Sequence, residues 1–461
     1  MILWKRIKDA MLRNPKQMRC EDQAKMSYEE MVIYAELFAK NLQGQKCCAI
    51  LCGSEMATAM AVLSCFAAEV TAVPLSFKYG EKHCSKALEM IGPTSVITDV
   101  QGKLCIIPME NAAYKEPPKH PALIMCTSGT TGLPKGVMLS EQNILANIRD
   151  ISAYFDIDQK DRILIARPLY HVAVLTGELL VSLCKGVEIC FYSDVFNPRI
   201  LLNLIREKQI TVFGGTPTML RMMPKFMRMD SQTTLKKIVI SGECMSMNIR
   251  KQVKGAFQTS DIYFVYGLTE ACPRVSYLPP HLFEKYSDCV GITLDSVSLK
   301  IMRRDGTCAK NGEEGVLWIK GPNVMLGYYN DMPQTVKVLK KGWLCTGDIA
   351  VINEQGLLCV KGRSDDLIIR AGMNIYPQEI EEALKKDPRV FEVLVYPIQN
   401  SYMGTQIAMK IVGEFTSIDQ VKTLCQDLLP DFQVPSFIEL VDELPVNGSG
   451  KVIRHWKAGA L

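Results

Sequence analysis

Short hydrophobic runs alternate with longer amphipathic segments through the first three quarters of the chain. Residues 46–52 predict a strand, residues 54–69 a helix and residues 70–75 the next strand. The order returns further on, with a helical pattern at 200–209 and a strand pattern at 210–215. Strands that alternate with helices in this way are typical of β-α-β units. The pattern therefore predicts an α/β fold with mostly parallel sheets and helices on both faces.

The pattern changes twice towards the C-terminus. Residues 291–360 contain short strand patterns separated by turn signals such as "RRDG" and "NEQG", which favour an antiparallel β subdomain. The last part of the chain reads as a small α+β unit, with Pro377 at the first position of one helix and Ser417 as the N-cap of another. We expect an N-terminal domain over residues 1–364 and a C-terminal domain over residues 365–461.

Composition and charge exclude several classes of protein. The 461 residues include 53 basic and 49 acidic side chains, and a net charge of +4 is too small to favour nucleic acid. The longest apolar stretch, 56–77, is interrupted by Glu69 and Pro74, so it predicts a buried helix and strand and no membrane span. Charges near the N-terminus argue against a signal peptide. Seventeen cysteines without zinc-like spacing favour free thiols and a cytoplasmic location.

The sequence "TSGTTGLPKG", residues 127–136, follows the apolar run 122–126. A glycine-rich turn between a strand and a helix can point several backbone N–H groups at a phosphate, and hydroxyls and a lysine add further donors. The sequence is not a Walker loop, because Lys135 follows Pro134 and no Ser or Thr comes next. "NGSGKV" also fails, because Val452 stands where Ser or Thr is needed. By composition alone, a surface turn is the commoner explanation.

Four further motifs follow in order: "YGLTEA" at 266–271, "GWLCTGDIA" at 342–350, "GRSDDLI" at 362–368 and "NGSGK" at 447–451. With the first loop they resemble the adenylate-forming superfamily, which includes acyl-CoA ligases, peptide-synthetase adenylation domains and luciferase. The resemblance covers nearly the whole chain. It implies a large N-terminal domain of stacked αβαβα sheets with a β subdomain, and a small mobile α+β C-terminal domain.

The resemblance also implies a role for particular residues. It assigns Glu270 and Thr127 to Mg²⁺, Lys451 to the bridge between carboxylate and α-phosphate, His171 to the gate of the acid and thiol paths, and Asp365 to the hinge. The ATP-binding residues that it implies are Thr127, Ser128, Gly129, Thr130, Thr131, Gly132, Lys135, Ser241, Gly242, Glu243, Tyr266, Gly267, Thr269, Asp348 and Arg363. Each of these residues, taken singly, also fits a solvated turn, a surface ion pair or, for His171, a core position.

The acid is expected to lack an α-amino group. Relatives that activate amino acids carry an aspartate after the His171 position, whereas this chain has Val172, and a buried ammonium without a partner is costly. The expected pocket wall is formed by His171, Val172, Thr176, Gly214, Gly215, Thr216, Cys272 and Pro273. The sequence leaves an aryl or an aliphatic acid open.

The implied reaction is ATP- and Mg²⁺-dependent formation of an acyl-adenylate, followed by acyl transfer to a thiol. The thiol belongs to CoA or to a separate carrier protein, since no fused carrier domain is expected after "GKVIRHWKAGAL". Two departures from the family pattern are Glu69, at a position that is usually glycine, and Ala371, which could narrow the pantetheine tunnel. Two alternatives remain: a nucleotide-binding sensor or scaffold that has lost the chemistry, and a luciferase-like oxidase.

Overall fold

The computed structural model describes most of the chain. The described residues are 2–14, 17–20, 25–77, 80–110, 112–128, 134–227, 233–242, 245, 247–286, 288–370, 373–400 and 404–445. These residues divide into two compact units. The first unit comprises Met1–Leu299, Trp318–Cys345 and Gly356–Leu358, and the second comprises Lys300–Leu317, Thr346–Gln355 and Cys359–Leu461.

The helices are numbered in chain order. They are α1 (Ile2–Arg13), α2 (Tyr28–Asn41), α3 (Glu55–Ala68), α4 (Glu81–Ile91), α5 (Glu141–Tyr154), α6 (Val172–Val174), α7 (Val181–Lys185), α8 (Pro198–Glu207), α9 (Pro217–Met222), α10 (Met247–Ala256), α11 (Met332–Val338), α12 (Pro377–Leu384) and α13 (Ile418–Leu428). A π-helical segment, Leu175–Leu180, lies between α6 and α7.

The strands are numbered in the same way. They are β1 (Gln17–Cys20), β2 (Lys25–Ser27), β3 (Cys47–Ile50), β4 (Thr71–Pro74), β5 (Ser95–Val100), β6 (Lys103–Pro108), β7 (Leu123–Ser128), β8 (Pro134–Leu139), β9 (Arg162–Ile165), β10 (Glu188–Phe191), β11 (Val212–Gly215), β12 (Lys237–Ile240), β13 (Asp261–Gly267), β14 (Arg274–Leu278), β15 (Ile292–Thr293), β16 (Ser298–Met302), β17 (Gly315–Lys320), β18 (Gly327–Tyr328), β19 (Leu339–Lys340), β20 (Trp343–Ile352), β21 (Leu358–Arg363), β22 (Ile368–Arg370), β23 (Met373–Ile375), β24 (Val390–Asn400), β25 (Gly404–Gly413) and β26 (Phe437–Leu440).

Two large sheets confirm the expectation of parallel β-α-β units. The seven-stranded sheet has the order β18-β8-β7-β4-β3-β5-β6, and β7, β4, β3 and β5 are parallel. The nine-stranded sheet has the order β15-β14-β13-β12-β11-β9-β10-β1-β2, with parallel pairing from β13 to β1. Antiparallel strands flank both parallel cores.

Helix α3 is buried along most of its length, as its continuous apolar sequence predicts. Ser54 caps its N-terminus by accepting a hydrogen bond from the Ala57 amide. Glu69 ends the helix in the left-handed region, with a φ of 58°. Glycine adopts this conformation without the steric cost that a Cβ brings, which explains why glycine is usual at this position. The departure at Glu69 therefore affects the local backbone at a helix end.

The C-terminal part of the chain contains the expected α+β unit. Strands β24, β25 and β26 form one sheet, with β25 in the middle. Pro377 begins α12, and the Ser417 hydroxyl caps α13, as the sequence predicts. A core of buried aliphatic side chains, among them Ile380, Val395 and Ile407, packs the helices against this sheet.

The segment 291–360 forms the short strands that its turn signals predict. Its five-stranded sheet has the order β16-β17-β20-β19, with β21 paired to β20. The glycines of "RRDG" and "NEQG" have positive φ angles, 82° at Gly306 and 76° at Gly356, as tight turns require. Within the described residues, we find no helix with the length and apolar character needed to cross a membrane.

Candidate active site

The residues of the expected site follow the carboxyl ends of parallel strands in the nine-stranded sheet. Gly214 and Gly215 end β11, Ser241 follows β12, and Tyr266 and Gly267 end β13. Strands β11, β12 and β13 are neighbours in this sheet. The carboxyl edge of an open parallel sheet is where such folds bind ligands. The structure therefore places these motif residues along one edge, as a common binding site requires.

The glycine-rich loop connects two paired strands. Strand β7 ends at Ser128 and β8 begins at Pro134, with Thr127 opposite Lys135 in the antiparallel register. Strand β8, which the sequence pattern did not predict, comes between the loop and α5. The loop is thus held at both ends by ladder hydrogen bonds. Gly129, Thr130, Thr131 and Gly132 lie outside the described residues.

Lys135 and Glu270 are connected through a tyrosine that the sequence analysis did not select. The Tyr328 hydroxyl donates a 2.8 Å hydrogen bond to Glu270 Oε1. The Nζ atom of Lys135 lies 5.4 Å from the centre of the Tyr328 ring, within the range of a cation–π contact. Pairing of β18 with β8 places Tyr328 opposite Val137, two residues beyond Lys135. The lysine of the loop and the carboxylate proposed for Mg²⁺ therefore share one neighbourhood.

The turn that carries Glu270 is fixed by backbone contacts. The Leu268 amide donates to the Pro273 carbonyl at 2.9 Å, and the Glu270 carbonyl accepts from the Met325 amide at 2.9 Å. Gly267 faces Pro273 so closely that an added Cβ would lie 2.8 Å from the Pro273 carbonyl carbon, which excludes larger residues. Glycine in "YGLTE" is thus a requirement of the close approach between these two chain segments.

The expected acid pocket is lined mainly by buried groups. Val172, Thr176 and Cys272 are buried, whereas His171 is half-buried with its ring 4.4 Å from that of Tyr170. Burial raises the pKa of the Cys272 thiol, and the nearby Thr176 hydroxyl opposes this rise. Thr176 and Cys272 are therefore neighbours, although 96 positions separate them in the sequence. The apolar Val172 beside His171 offers no partner charge for an ammonium group.

A buried ion pair that no sequence motif predicted lies beside residues of the expected pocket wall. The guanidinium of Arg167 pairs with the Glu178 carboxylate, and both side chains are less than a tenth exposed. Arg167 Nη1 also donates to the Ser241 hydroxyl at 3.0 Å. A Cβ added to Gly214 would lie 2.9 Å from Glu178 Oε2 and closer still to Oε1. The Glu178 carboxylate therefore occupies the space that a larger residue at 214 would fill.

A sequence signal for this pair exists. Glu178 is the only charged residue in the run "VAVLTGELLVSL", residues 172–183, which is otherwise suited to a core. A carboxylate in such a run needs a partner, because an unpaired charge is costly to bury. The π-helical segment that contains it could not be expected from the pattern, and such segments are common at functional sites.

In the second unit, the two residues assigned to the ribose meet. Arg363 Nη1 lies 3.0 Å from Asp348 Oδ1 and donates to the Thr346 carbonyl at 2.9 Å. The Asp348 side chain is 11% exposed and that of Arg363 is 44% exposed. Gly347 has a φ of 75° and allows the guanidinium to approach its backbone. One carboxylate oxygen is therefore engaged by arginine in this arrangement.

The remaining assigned residues have less structural context. Asp365 is exposed in the turn between β21 and β22. Few packed side chains would oppose a change of its backbone angles there, but its role as a hinge stays a prediction. Glu243 and Lys451 lie outside the described residues, as does Ala371 of the expected pantetheine tunnel.

The chain is similar to proteins of known function over most of its length. Family models match AMP-binding enzyme over residues 8–329 and the AMP-binding enzyme C-terminal domain over residues 379–451. The chain is 33% identical to a human protein described as medium-chain acyl-CoA ligase ACSF2, mitochondrial, over 72% of this chain and 56% of that protein. It is 30% identical to a feruloyl-CoA synthase of an Amycolatopsis species, over 85% of this chain and 84% of the relative.

Solved structures show the same fold. O-succinylbenzoate coenzyme A synthetase from Bacillus subtilis in complex with AMP has a TM-score of 0.87 and 26% identity, over 99% of this chain and 98% of that chain. The complex of that enzyme with its acyl-adenylate intermediate has a TM-score of 0.86 and 27% identity, over 100% and 99%. Some relatives are longer, and the alignment spans only 56% to 60% of two of them. On these matches and on the site geometry, the chain belongs to the AMP-binding enzyme family.

Proposed function

We propose that this protein is an AMP-forming acid–thiol ligase. In the first step the carboxylate of an organic acid attacks the α-phosphorus of ATP, forming an acyl-adenylate and releasing pyrophosphate. In the second step the sulfur of CoA attacks the acyl carbon, forming a thioester and releasing AMP, and the thiol proton goes to solvent. Solved relatives in complex with AMP, with an acyl-adenylate and with ATP and magnesium ion support this sequence of steps.

The observation that carries the proposal is the Lys135–Tyr328–Glu270 arrangement. The Lys135 ammonium lies over the ring of Tyr328, and the Glu270 carboxylate accepts a hydrogen bond from the hydroxyl of the same tyrosine. The first step brings an anion to a polyanion, so the protein must supply positive charge around the phosphates. Lys135 supplies part of this charge, and the fixed turn at 268–273 holds Glu270 close to it.

The residues present fit a magnesium ion. Carboxylate and hydroxyl oxygens are the ligands that Mg²⁺ prefers, and it retains water and phosphate oxygens as its other ligands. Glu270 and Thr127 would hold the ion, and the Tyr328 hydrogen bond to Oε1 orients the Glu270 carboxylate. When bound, Mg²⁺ supplies charge neutralisation on the phosphate oxygens.

The remaining residues take positioning roles in this proposal. Asp348 would accept hydrogen bonds from the ribose hydroxyls, with Arg363 beside it. Tyr266 and the segment 241–243 would enclose the adenine, and Thr269 would contact the α-phosphate. His171 stands at the entrance of the acid pocket. Lys451 would bridge the acid and the α-phosphate. Backbone rotation at Asp365 would swing the small C-terminal domain, so that residues needed for the second step replace those needed for the first.

The substrate is a carboxylic acid without an α-amino group, because Val172 is apolar and 5% exposed where an ammonium would need a counter-charge. Relatives described as acyl-CoA ligases and feruloyl-CoA synthase favour CoA over a carrier protein as the acceptor. A cytoplasmic location and the domain boundary after residue 364 remain predictions from the sequence.

The test is acid-dependent exchange of labelled pyrophosphate into ATP, followed by an assay of CoA consumption. Lys451→Ala should reduce the exchange rate about 10²- to 10³-fold, because a cation placed where charge develops is lost. Thioester formation from a supplied acyl-adenylate should be largely retained. Equal loss in both steps would contradict the role of Lys451. Wild-type protein that binds ATP but shows no exchange with any acid would favour the sensor alternative instead.

A further inference from the structure

We propose that the Arg167–Glu178 ion pair closes the inner end of the acid pocket and restricts the enzyme to compact acids, either short aliphatic or single-ring. This inference rests on the proposed function, since it concerns the substrate of the same site. It assigns a specificity role to two residues that none of the five motifs contains.

The first step of the argument is the position of Glu178. Its carboxylate lies against Gly214, where an added Cβ would come within 2.9 Å of Oε2. Gly214 and Thr176 belong to the expected pocket wall, and Glu178 follows Thr176 by two residues in the π-helical segment. The volume beside Gly214 is therefore filled by a carboxylate and is closed to a substrate.

The second step is the distance from the entrance. Glu178 lies seven residues beyond His171 along a continuous helical path, which is a rise of roughly 10 Å at 1.5 Å per residue. His171 is the residue proposed for the gate at the carboxylate end. A straight alkyl chain that extended past this depth would meet the ion pair.

The third step is the chemistry of the pair. Arg167 and Glu178 are both buried, and Arg167 also holds the Ser241 hydroxyl. Glu178 Oε2 is already buried and has no hydrogen-bond partner among the described residues, so an apolar tail beside it would supply none of the hydrogen bonding that this oxygen lacks. A second buried cation, Arg274, lies beside Gly177 and makes the inner end more polar still. Long alkyl tails are thus excluded by shape and by polarity together.

The pair cannot easily move aside for a longer tail. Separating two buried charges leaves each without its partner in a medium of low polarity. Arg167 is also tied to Ser241, at the start of the segment assigned to adenine, so its displacement would disturb the nucleotide side of the site.

The experiment measures pyrophosphate release with a series of straight-chain acids from butanoate to hexadecanoate and with benzoate. For the wild type we expect kcat/KM to fall about tenfold or more for each methylene beyond the limiting length. The double variant Arg167→Met/Glu178→Ala removes the charges and part of the volume. It should raise the ratio of kcat/KM for a longer acid to that for a shorter acid by about tenfold or more.

The chain contains a matched control. Arg162 and Glu188 form an ion pair at 2.9 Å at the amino ends of β9 and β10, the opposite end of the same sheet region. Arg162→Met/Glu188→Ala should leave the acid-length ratio within about twofold of the wild type. Because the readout is a ratio of two substrates on one preparation, loss of folded protein does not affect it.

The possible results separate failure of this inference from failure of the proposed function. If Arg167→Met/Glu178→Ala does not fold, Arg167→Leu/Glu178→Val replaces it in the test, because apolar residues commonly replace a buried ion pair without loss of stability and valine is smaller than glutamate. Wild-type activity on hexadecanoate equal to that on short acids would overturn the inference, as would folded variants with an unchanged ratio. Absence of pyrophosphate release with every acid would instead contradict the proposed function.

Discussion

Two arginine–carboxylate pairs in this protein differ in burial, and the difference predicts how each one acts. Asp348–Arg363 lies in the second unit with its guanidinium 44% exposed, whereas Arg167–Glu178 lies in the first unit with both side chains less than a tenth exposed. An exposed pair adds little stability because water competes for both charges. A buried pair adds little net stability either, but breaking it is costly because one charge remains unpaired.

This contrast has a functional meaning. Water reaches the partly exposed Arg363 guanidinium and can replace its contact with Asp348, so Asp348 can accept new hydrogen bonds from a ribose at small cost. The Arg167–Glu178 pair is almost completely shielded from water, so we expect it to keep its geometry when substrates bind and leave. The first pair is suited to binding a ligand directly, and the second to defining the shape of a pocket.

The largest expected effect comes from breaking the buried pair. Glu178→Met should lower the free energy of unfolding by about 3–5 kcal/mol, because it leaves the Arg167 charge buried without its partner. Denaturant unfolding of the purified protein measures the change. The control Arg167→Met/Glu178→Met should recover most of the loss, since both charges are then removed together. If single and double variants were equally unstable, packing and not charge would explain the effect.

Removing the exposed pair should affect binding more than stability. Asp348→Asn should change the free energy of unfolding by less than about 1 kcal/mol, because the Arg363 guanidinium can be hydrated. The KM for ATP should rise about 10- to 100-fold, because hydrogen bonds from the ribose to a charged acceptor are weakened. Pyrophosphate exchange at varied ATP concentrations tests this expectation. A large loss of stability with an unchanged KM would reverse the comparison between the two pairs.

The smallest effect is expected at Tyr328, which retains its ring over Lys135 in the variant Tyr328→Phe. Loss of the hydrogen bond to Glu270 should reduce the exchange rate about three- to tenfold at limiting Mg²⁺, because a half-exposed carboxylate can find water in place of the hydroxyl. The difference should shrink as Mg²⁺ is raised. Calorimetric titration of Mg²⁺–ATP without acid gives a second readout.

A neighbouring residue provides the control for Tyr328. The Tyr329 hydroxyl accepts a 2.8 Å hydrogen bond from the Lys115 amide and is engaged away from Glu270. Tyr329→Phe should therefore leave the Mg²⁺ dependence unchanged. The positioning role of Tyr328 would be wrong if both phenylalanine variants shifted the Mg²⁺ dependence alike.

Local patterns predicted much of the fold. Examples are the helix predicted at 54–69, the first helical position at Pro377 and the N-cap at Ser417, each of which depends on neighbours in the sequence. Such features follow from backbone hydrogen bonding within a few residues. Local patterns did not predict β8 after the glycine-rich loop, because β8 is held by pairing with β7 and β18, and β18 begins nearly two hundred residues later.

The candidate site, like the fold, has features that the sequence predicts and features that only the tertiary structure decides. Sequence alone determined the motif residues and the absence of an aspartate at Val172, and the family resemblance predicted that Asp348 and Arg363 act together. Only the tertiary structure decided that Tyr328 connects Lys135 to Glu270 and that Arg167 meets Glu178 and Ser241. These contacts depend on which strands become neighbours and which charges lose access to water. Both are consequences of tertiary packing, since 58 positions separate Tyr328 from Glu270 and 74 separate Arg167 from Ser241. Glu178 is near Arg167 in the sequence, but the sequence indicates only that its carboxylate needs a partner and not which one.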